Sequence, residues 1–350
     1  MPQEVKDTRK YSLGTLLMLL PLVIMATYYY GERALRMVVL SALAAVAVEY
    51  IGSVFVRKKA TLADFNALVI GVMIPLLLPA SSPLWLPLVG VVFAVAAVKL
   101  PFGNARTFMF EPVSAAIAFL TVCSQAYVFR YPKIGIITSE NIISEINGFN
   151  EGVSLSAMLS HSNSIGTNLI SVLDLIIGNF VGPMGATCGF AFIAIIISMF
   201  ISRREELFAV LSFLLTAAVY AFLFPRVLTG RFVSVVMELA GGMLIFSAVF
   251  LLTNPAIIPK TRTGKVFFGV FAGLLCMLIR SFGTLEDGAV FAILIADALA
   301  PQFDKIKLPS LRRKPEPKRE ITEEEFDRIV NTSFIDVGEA PGKTGGAENE

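Results

Sequence analysis

The chain has 350 residues, 55% of them hydrophobic and 16% charged, with a net charge of +2. That is far too apolar for a soluble domain of this size, and the small net charge gives no sign of nucleic-acid binding. Cys123, Cys188 and Cys276 show no C-x-x-C spacing and read as small apolar residues between helices. His161 is the single histidine and reads as a polar loop residue, which excludes a bis-histidine haem carried by this chain alone and leaves no metal-ligand set.

A membrane helix needs about 17–25 apolar residues. Ten stretches qualify, at about 12–31, 34–56, 65–80, 84–100, 110–129, 184–202, 206–224, 231–253, 263–281 and 287–304. The first lacks a small-residue cleavage site, so it is expected to be a span and not a signal peptide. Tyr28, Tyr29 and Tyr30 at its end look like an interfacial belt. The span at 65–80 is short and holds Pro75 and Pro79, so it is expected to cross partially or at a tilt. With the N-terminus inside, the inner loops collect most of the basic residues, among them Lys6, Arg9, Arg57, Lys58, Lys99, Arg203, Lys260 and Lys265. The outer side keeps Arg33, Arg36, Arg130, Lys133, Arg226, Arg231 and Arg280. That asymmetry predicts a multi-pass protein of the cell inner (cytoplasmic) membrane with both termini cytoplasmic.

The expected organisation is a first membrane half at 1–129, an extracytoplasmic loop and re-entry segment at 130–182, a second membrane half at 183–308 and a cytoplasmic disordered tail at 309–350. In the tail, Thr322 and Glu325 have the spacing of a capping box for one short helix. The two halves echo each other. Residues 67–83 and 242–259 share a late pair of prolines four residues apart. The next span in each half ends in Phe-Gly, at Phe102 and Phe282, and each Phe-Gly is followed by an acid opening another span, Glu111 and Asp287. Because five is odd, the repeats run in opposite directions. The fold class expected is therefore an all-α polytopic membrane protein, with about ten transmembrane helices in two inverted five-helix repeats and broken helices. Binding sites in such folds lie where the halves meet.

The segment Thr253–Asp304 carries the most information. Prolines and an amide interrupt two membrane-length helices, and freed backbone groups in lipid must be satisfied again. Thr253 and Asn254 offer a hydroxyl and an amide beside free carbonyls, suited to a flavin ring edge or a desolvated cation. Ionisable residues inside apolar spans are functional candidates by default. Glu49, Glu111, Glu238, Asp287, Asp297 and Arg280 are the candidates for an ion path, and Arg280 is close enough in sequence to Asp287 to pair with it.

Several stretches carry a family resemblance. They are the closing tract T-N-P-A…P…T-G…I-R-x-F-G…D-G-x-x-F-A-I-L…P-x-x-D, A-D-F-N-A-L-V-I-G (63–71), F-G-N…F-M-F-E-P-V (102–113) and L-D-L-I-I-G-N-F-V-G-P-M-G-A-T-C (173–188). Together they resemble the NqrB/RnfD family, the B subunit of the sodium-pumping NADH:quinone oxidoreductase and the D subunit of the Rnf complex, and the length favours the latter. The resemblance covers roughly residues 12–304. It implies an integral membrane subunit of an ion-translocating electron-transport complex, not active alone, that relays electrons through a flavin coupled to Na+ or H+ movement. Its partners would be the other subunits, the lipid bilayer and the ion, with no nucleic acid. In that family FMN is attached through a phosphoester to a threonine in an S-G-A-T motif. By order along the chain Ser154 occupies that position, while the literal G-A-T lies at Gly185–Thr187, in a segment that is not the flavin site in relatives. Serine replaces threonine, Val153 replaces alanine, Glu111 stands where the family has asparagine and Ala186 where it has glutamate. These departures leave FMN covalent, non-covalent or absent. A flavin-type solute transporter or channel on the same fold and a cofactor-free scaffold subunit are the alternatives.

Overall fold

The computed structural model describes residues 3–55, 64–102, 109–132, 151–160, 172–226, 230–283 and 285–306. His161 and the tail with its Thr322–Glu325 spacing lie outside the described residues. The chain divides into a unit at Met1–Ile306 and a second at Lys307–Glu350.

The first unit is built almost wholly of helices. Helix α1 (Gln3–Phe55) runs through both of the first two expected spans. Gly31 between them has φ 66° and ψ −157°, which breaks the helical path at a backbone angle that L side chains rarely adopt. At 53 residues, α1 is about 80 Å of helix against a hydrocarbon core of about 30 Å, so it is long enough for two crossings. Helix α2 (Asn66–Leu76) ends in the Pro75–Pro79 break. Helix α3 (Trp85–Val92) continues as a π-helical stretch, Phe93–Lys99, and a last turn, Leu100–Phe102. Helix α4 (Pro112–Val128) starts with proline at its first position, where the missing N–H costs nothing.

A two-residue antiparallel pair, β1 (Tyr131–Pro132) with β2 (Glu151–Gly152), ties the loop after α4 to the short helices α5 (Leu155–Ser160) and α6 (Val172–Ile177). The second half then runs through α7 (Gly189–Ser202), α8 (Arg204–Leu223), α9 (Arg231–Ala240), α10 (Leu244–Phe246) with a π stretch at Ser247–Leu251, α11 (Arg262–Phe282) and α12 (Ala289–Phe303).

Among the described residues three helices are long and apolar enough to cross a membrane, namely the Thr8–Phe55 part of α1, α8 and α11. The pair α9–α10 is bent by 65° and passes as one broken span. Five further apolar helices are shorter, at 10–17 residues. Their shortness has a local cause, since α2 stops at prolines, α4 and α12 start at acidic turns, and α7 follows the turn at Pro183–Cys188. Large apolar side chains such as Leu17, Leu43, Phe190, Ile201 and Leu215 point outward. In water such a surface would aggregate, and in a bilayer it is solvated by lipid. The chain is therefore a mostly helical, multi-pass membrane protein.

Small residues set the helix contacts, as expected where helices must pack without a hydrophobic driving force. Helix α8 lies so close to α11 that a Cβ at Gly269 or Gly273 would collide with the Ala209 or Phe213 carbonyl. Helix α1 packs on α2, α11 on α12, and α12 reaches across to α4. Of the three tyrosines expected as a belt, Tyr28 is exposed, but Tyr30 is fully buried and packed in the core. Its ring faces inward because the Gly31 break turns that side of α1 toward the re-entry segment, where its hydroxyl reaches the Gly182 carbonyl at 3.4 Å.

Candidate functional site

The helix breaks place their freed backbone groups against partners from distant segments. Pro79 stops α2, and the Leu76 and Leu78 carbonyls accept hydrogen bonds from Gly185 N (2.7 Å) and Met184 N (3.2 Å). The turn at 183–188, at the start of the second half, thus closes the first break, and Gly185 has no room for a side chain because Leu76 occupies it. The second break, at Thr253–Pro259, is closed differently. The Tyr11 hydroxyl donates to the Thr253 carbonyl at 2.7 Å, and the Asn254 side chain and carbonyl accept from Ala256, Ile257 and Ile258. Asp304 then accepts from Lys260 N and Thr261 N, which fixes the start of α11.

The membrane unit also holds two buried charge clusters. In the first, Lys99 Nζ lies 2.6 Å from Glu49 Oε1, with both side chains at most 3% exposed. Asp64, also buried, lies in the field of both. In the second, Arg280 reaches Asp287 (3.2 Å) and Glu238 (3.5 Å), as well as the Glu238 and Gly241 carbonyls. Arg226 pairs with the other Glu238 oxygen at 2.5 Å and donates to the Arg280 carbonyl. Asp287 in turn accepts from Met243 N and Ala289 N. Two guanidinium groups face two carboxylates, which is how a buried charge set stays balanced. The sequence suggested the Arg280–Asp287 pair. It counted Lys99 and Arg226 only as loop charges, although Lys99 sits within an apolar run, which was the available signal.

The third group joins residues that sequence could only name separately. Glu111 is the N-cap of α4, and its Oε2 accepts from Ser114 N at 2.5 Å. Its own backbone N–H donates to Asp297 Oδ2 at 2.9 Å. The Asn254 amide faces the same carboxyl. A cavity of about 40 Å³ adjoins them, lined by Tyr11, Ser12, Thr15, Asn66, Glu111 and Asn254. Beyond Tyr11 a groove of about 780 Å³ opens between α1 and the α7–α8 corner, with Lys10, Arg203 and Glu206 along it and Leu17, Met18 and Ile195 beneath. Tyr11 lines both spaces.

The two hydroxyls considered for flavin attachment are both enclosed. Ser154 is 3% exposed, its Oγ accepts from Ala157 N at 3.0 Å to cap α5, and its proton goes to the half-buried Glu286. Burial pushes the Glu286 carboxyl up to about 7. Thr187 is 2% exposed within the turn at 183–188. Neither hydroxyl is open to a transferase, and the cavity beside Thr253 and Asn254 is too small for an isoalloxazine ring. The larger groove has the room. Among the described residues no group of three or more His, Cys, Asp or Glu residues could hold a metal ion.

An all-helical membrane protein with balanced ion clusters and acids at broken helices has the build of a translocating membrane subunit. The chain matches the model of the NQR2, RnfD, RnfE family over residues 2–311, and it belongs to that family. It is similar to the D subunit of the Na+-translocating ferredoxin:NAD+ oxidoreductase complex of Acetobacterium woodii, with 27% identity covering 83% of this chain and 86% of the relative. The D subunits of the ion-translocating oxidoreductase complexes of Shewanella frigidimarina and Methanosarcina acetivorans are each 26% identical, covering 82% and 83% of this chain and 89% and 87% of the relatives.

Proposed function

We propose that the chain is the D-type membrane subunit of an ion-translocating electron-transport complex of the cell inner membrane, with both termini cytoplasmic, working only with its partner subunits. The observation that carries this is the family match along nearly the whole membrane unit, together with relatives that bear the name of that subunit. Ions cross at the junction of two inverted five-span halves. Repeat-matched chemistry supports that arrangement. Each half builds a buried cluster from the end of its second span, the start of its third and the end of its fourth: Glu49, Asp64 and Lys99 in one, Arg226, Glu238 and Arg280 in the other. Each half also opens its fifth span on an acid whose carboxylate accepts from that helix's first turn, Glu111 and Asp287.

The electron carrier in this reading is a flavin held without a covalent link at Ser154 or Thr187. The enclosed hydroxyls favour this over a tether, and also keep the cofactor-free scaffold as the second reading. When bound, a flavin would supply the redox chemistry, while this chain's own residues hold the helix breaks and balance the buried charges. The test is flavin fluorescence of the denatured chain in a gel, beside Ser154→Ala and Thr187→Ala, with flavin assayed in the extract of the native complex. Expected are a dark band and extractable flavin. A fluorescent band lost in either variant refutes the non-covalent reading, and no flavin in either fraction leaves the scaffold.

A further inference from the structure

In the two ion clusters Glu49, Glu238 and Asp287 each pair with a cation and Asp64 lies in the field of Lys99, whereas among the described residues Glu111 and Asp297 have no such partner. Both are 3% exposed. Asp297 comes from the middle of α12 and Glu111 from the first position before α4, and they meet where Asp297 Oδ2 accepts the Glu111 N–H. Among the described residues no Lys or Arg forms an ion pair with either one. What faces Glu111 is neutral: Ser114 from α4, Asn254 from the second break, and Asn66, Ser12, Thr15 and Tyr11 across the small cavity. Charged groups stand around that wall: Asp64 accepts from Asn66 N, Arg9 stacks over Phe65, and Arg203 and Glu206, which line the groove with Lys10 and Tyr11, pair with each other at 3.9 Å.

Two carboxylates that share a buried site without a cation cannot both stay ionised, because the like charges repel and neither is hydrated. A small ligand cation has to be counted with them. A second feature points the same way. The Ser114 hydroxyl is fully buried against the Glu111 carboxyl and makes no well-aligned hydrogen bond to it. A hydroxyl there can donate to an ionised carboxylate or accept from a protonated one, which suits a group that changes its protonation. The cavity beside the pair holds a water molecule or two and nothing larger. Tyr11 lines both this cavity and the open groove, so Glu111 stands one side chain away from a water-filled space.

We propose that Glu111 and Asp297 form one shared proton site, so that the cargo at this step of translocation is a proton and not a sodium ion. The geometry argues against sodium on coordination grounds. A sodium ion needs several oxygens aimed at one point, and one Asp297 oxygen and one Glu111 oxygen each already accept a backbone N–H, which leaves fewer lone pairs for a metal. Binding is a simple transfer: a hydronium ion gives up one proton and becomes water, and that proton forms an O–H bond on one carboxylate of the pair while the other stays ionised. This rests on the translocating-subunit reading above, but its test does not use that activity.

The test is carbodiimide labelling of the full-length protein in lipid nanodiscs, since a carbodiimide modifies a carboxyl that carries its proton in an apolar site. Modified peptides are located by mass spectrometry at neutral and alkaline pH, with sodium or choline as the salt. The expected result is a label on Glu111 or Asp297 that fades at alkaline pH and is the same in both salts. In Glu111→Gln and Asp297→Asn the remaining carboxyl loses its charged neighbour, so its label falls about tenfold or more at neutral pH if the pair is coupled by a pK unit or more. Two single variants, each checked for a monodisperse elution profile, keep a folding defect in one from deciding the matter. No label at neutral pH, an unchanged label on the remaining carboxyl, or protection by sodium at constant pH each overturns the proposal. Flavin content and electron transfer by the assembled complex are read separately, so a failure there leaves this result standing.

Discussion

Replacing Lys99 by methionine removes the cation from the Glu49–Lys99 pair while keeping most of the side-chain volume. The two groups are 2.6 Å apart and each is at most 3% exposed. Water cannot screen the change, and Glu49 and Asp64 are left as neighbouring buried carboxylates. Breaking one partner of such a pair costs about 3–5 kcal/mol. At about 1.4 kcal/mol per decade this is roughly two to nearly four decades in the folded-to-unfolded ratio. The double variant Glu49→Gln/Lys99→Met removes both charges and is expected to recover most of the loss, to within about 1–2 kcal/mol of the parent, because desolvation of the two ions is relieved together. The assay is a double-mutant cycle on reversible unfolding from mixed micelles, followed by helical circular dichroism. If Lys99→Met costs less than about 1 kcal/mol, or the double variant costs the sum of the singles, the buried pair does not exist as described.

Two further outcomes follow from the geometry. Gly242 has φ 63°, and a Cβ there would run into Asp287, Ser156 and Arg280. Gly242→Ala is therefore expected to cost the left-handed penalty of about 1–2 kcal/mol plus displacement of the ion cluster, read as a lower unfolding midpoint than for the unsubstituted protein. Glu286 titrates at about 7 in the folded protein against 4.5 unfolded, because burial disfavours its charge. The folded state holds this proton more tightly, so stability is full below 4.5, falls as the pH rises toward 7 and levels off above. Glu286→Gln should flatten that fall, which unfolding midpoints measured across the window would show.

Sequence alone went far here because the membrane restricts the options. Apolar runs, basic loops and prolines in membrane-length segments are read directly from the chain, since lipid leaves few ways to satisfy a backbone. The family motifs added order along the whole unit, and the pair Arg280–Asp287 was legible because seven residues separate its members across one turn. Ser154 shows where this stops. Its place in a motif marked it as a candidate, yet only folding decided that its hydroxyl would cap α5 and meet Glu286 from a segment 132 positions away.

What the sequence by itself determined was the class of protein, the broken helices and which acids sit in apolar surroundings. The tertiary structure decided which of those acids have a cation. Lys99 came to Glu49 across 50 positions and Asp297 came to Glu111 across 186, the first a neutralised pair and the second not. Local pattern reports burial because hydropathy is a property of each residue. Charge balance is a property of what helix packing brings together, and no spacing along the chain encodes it.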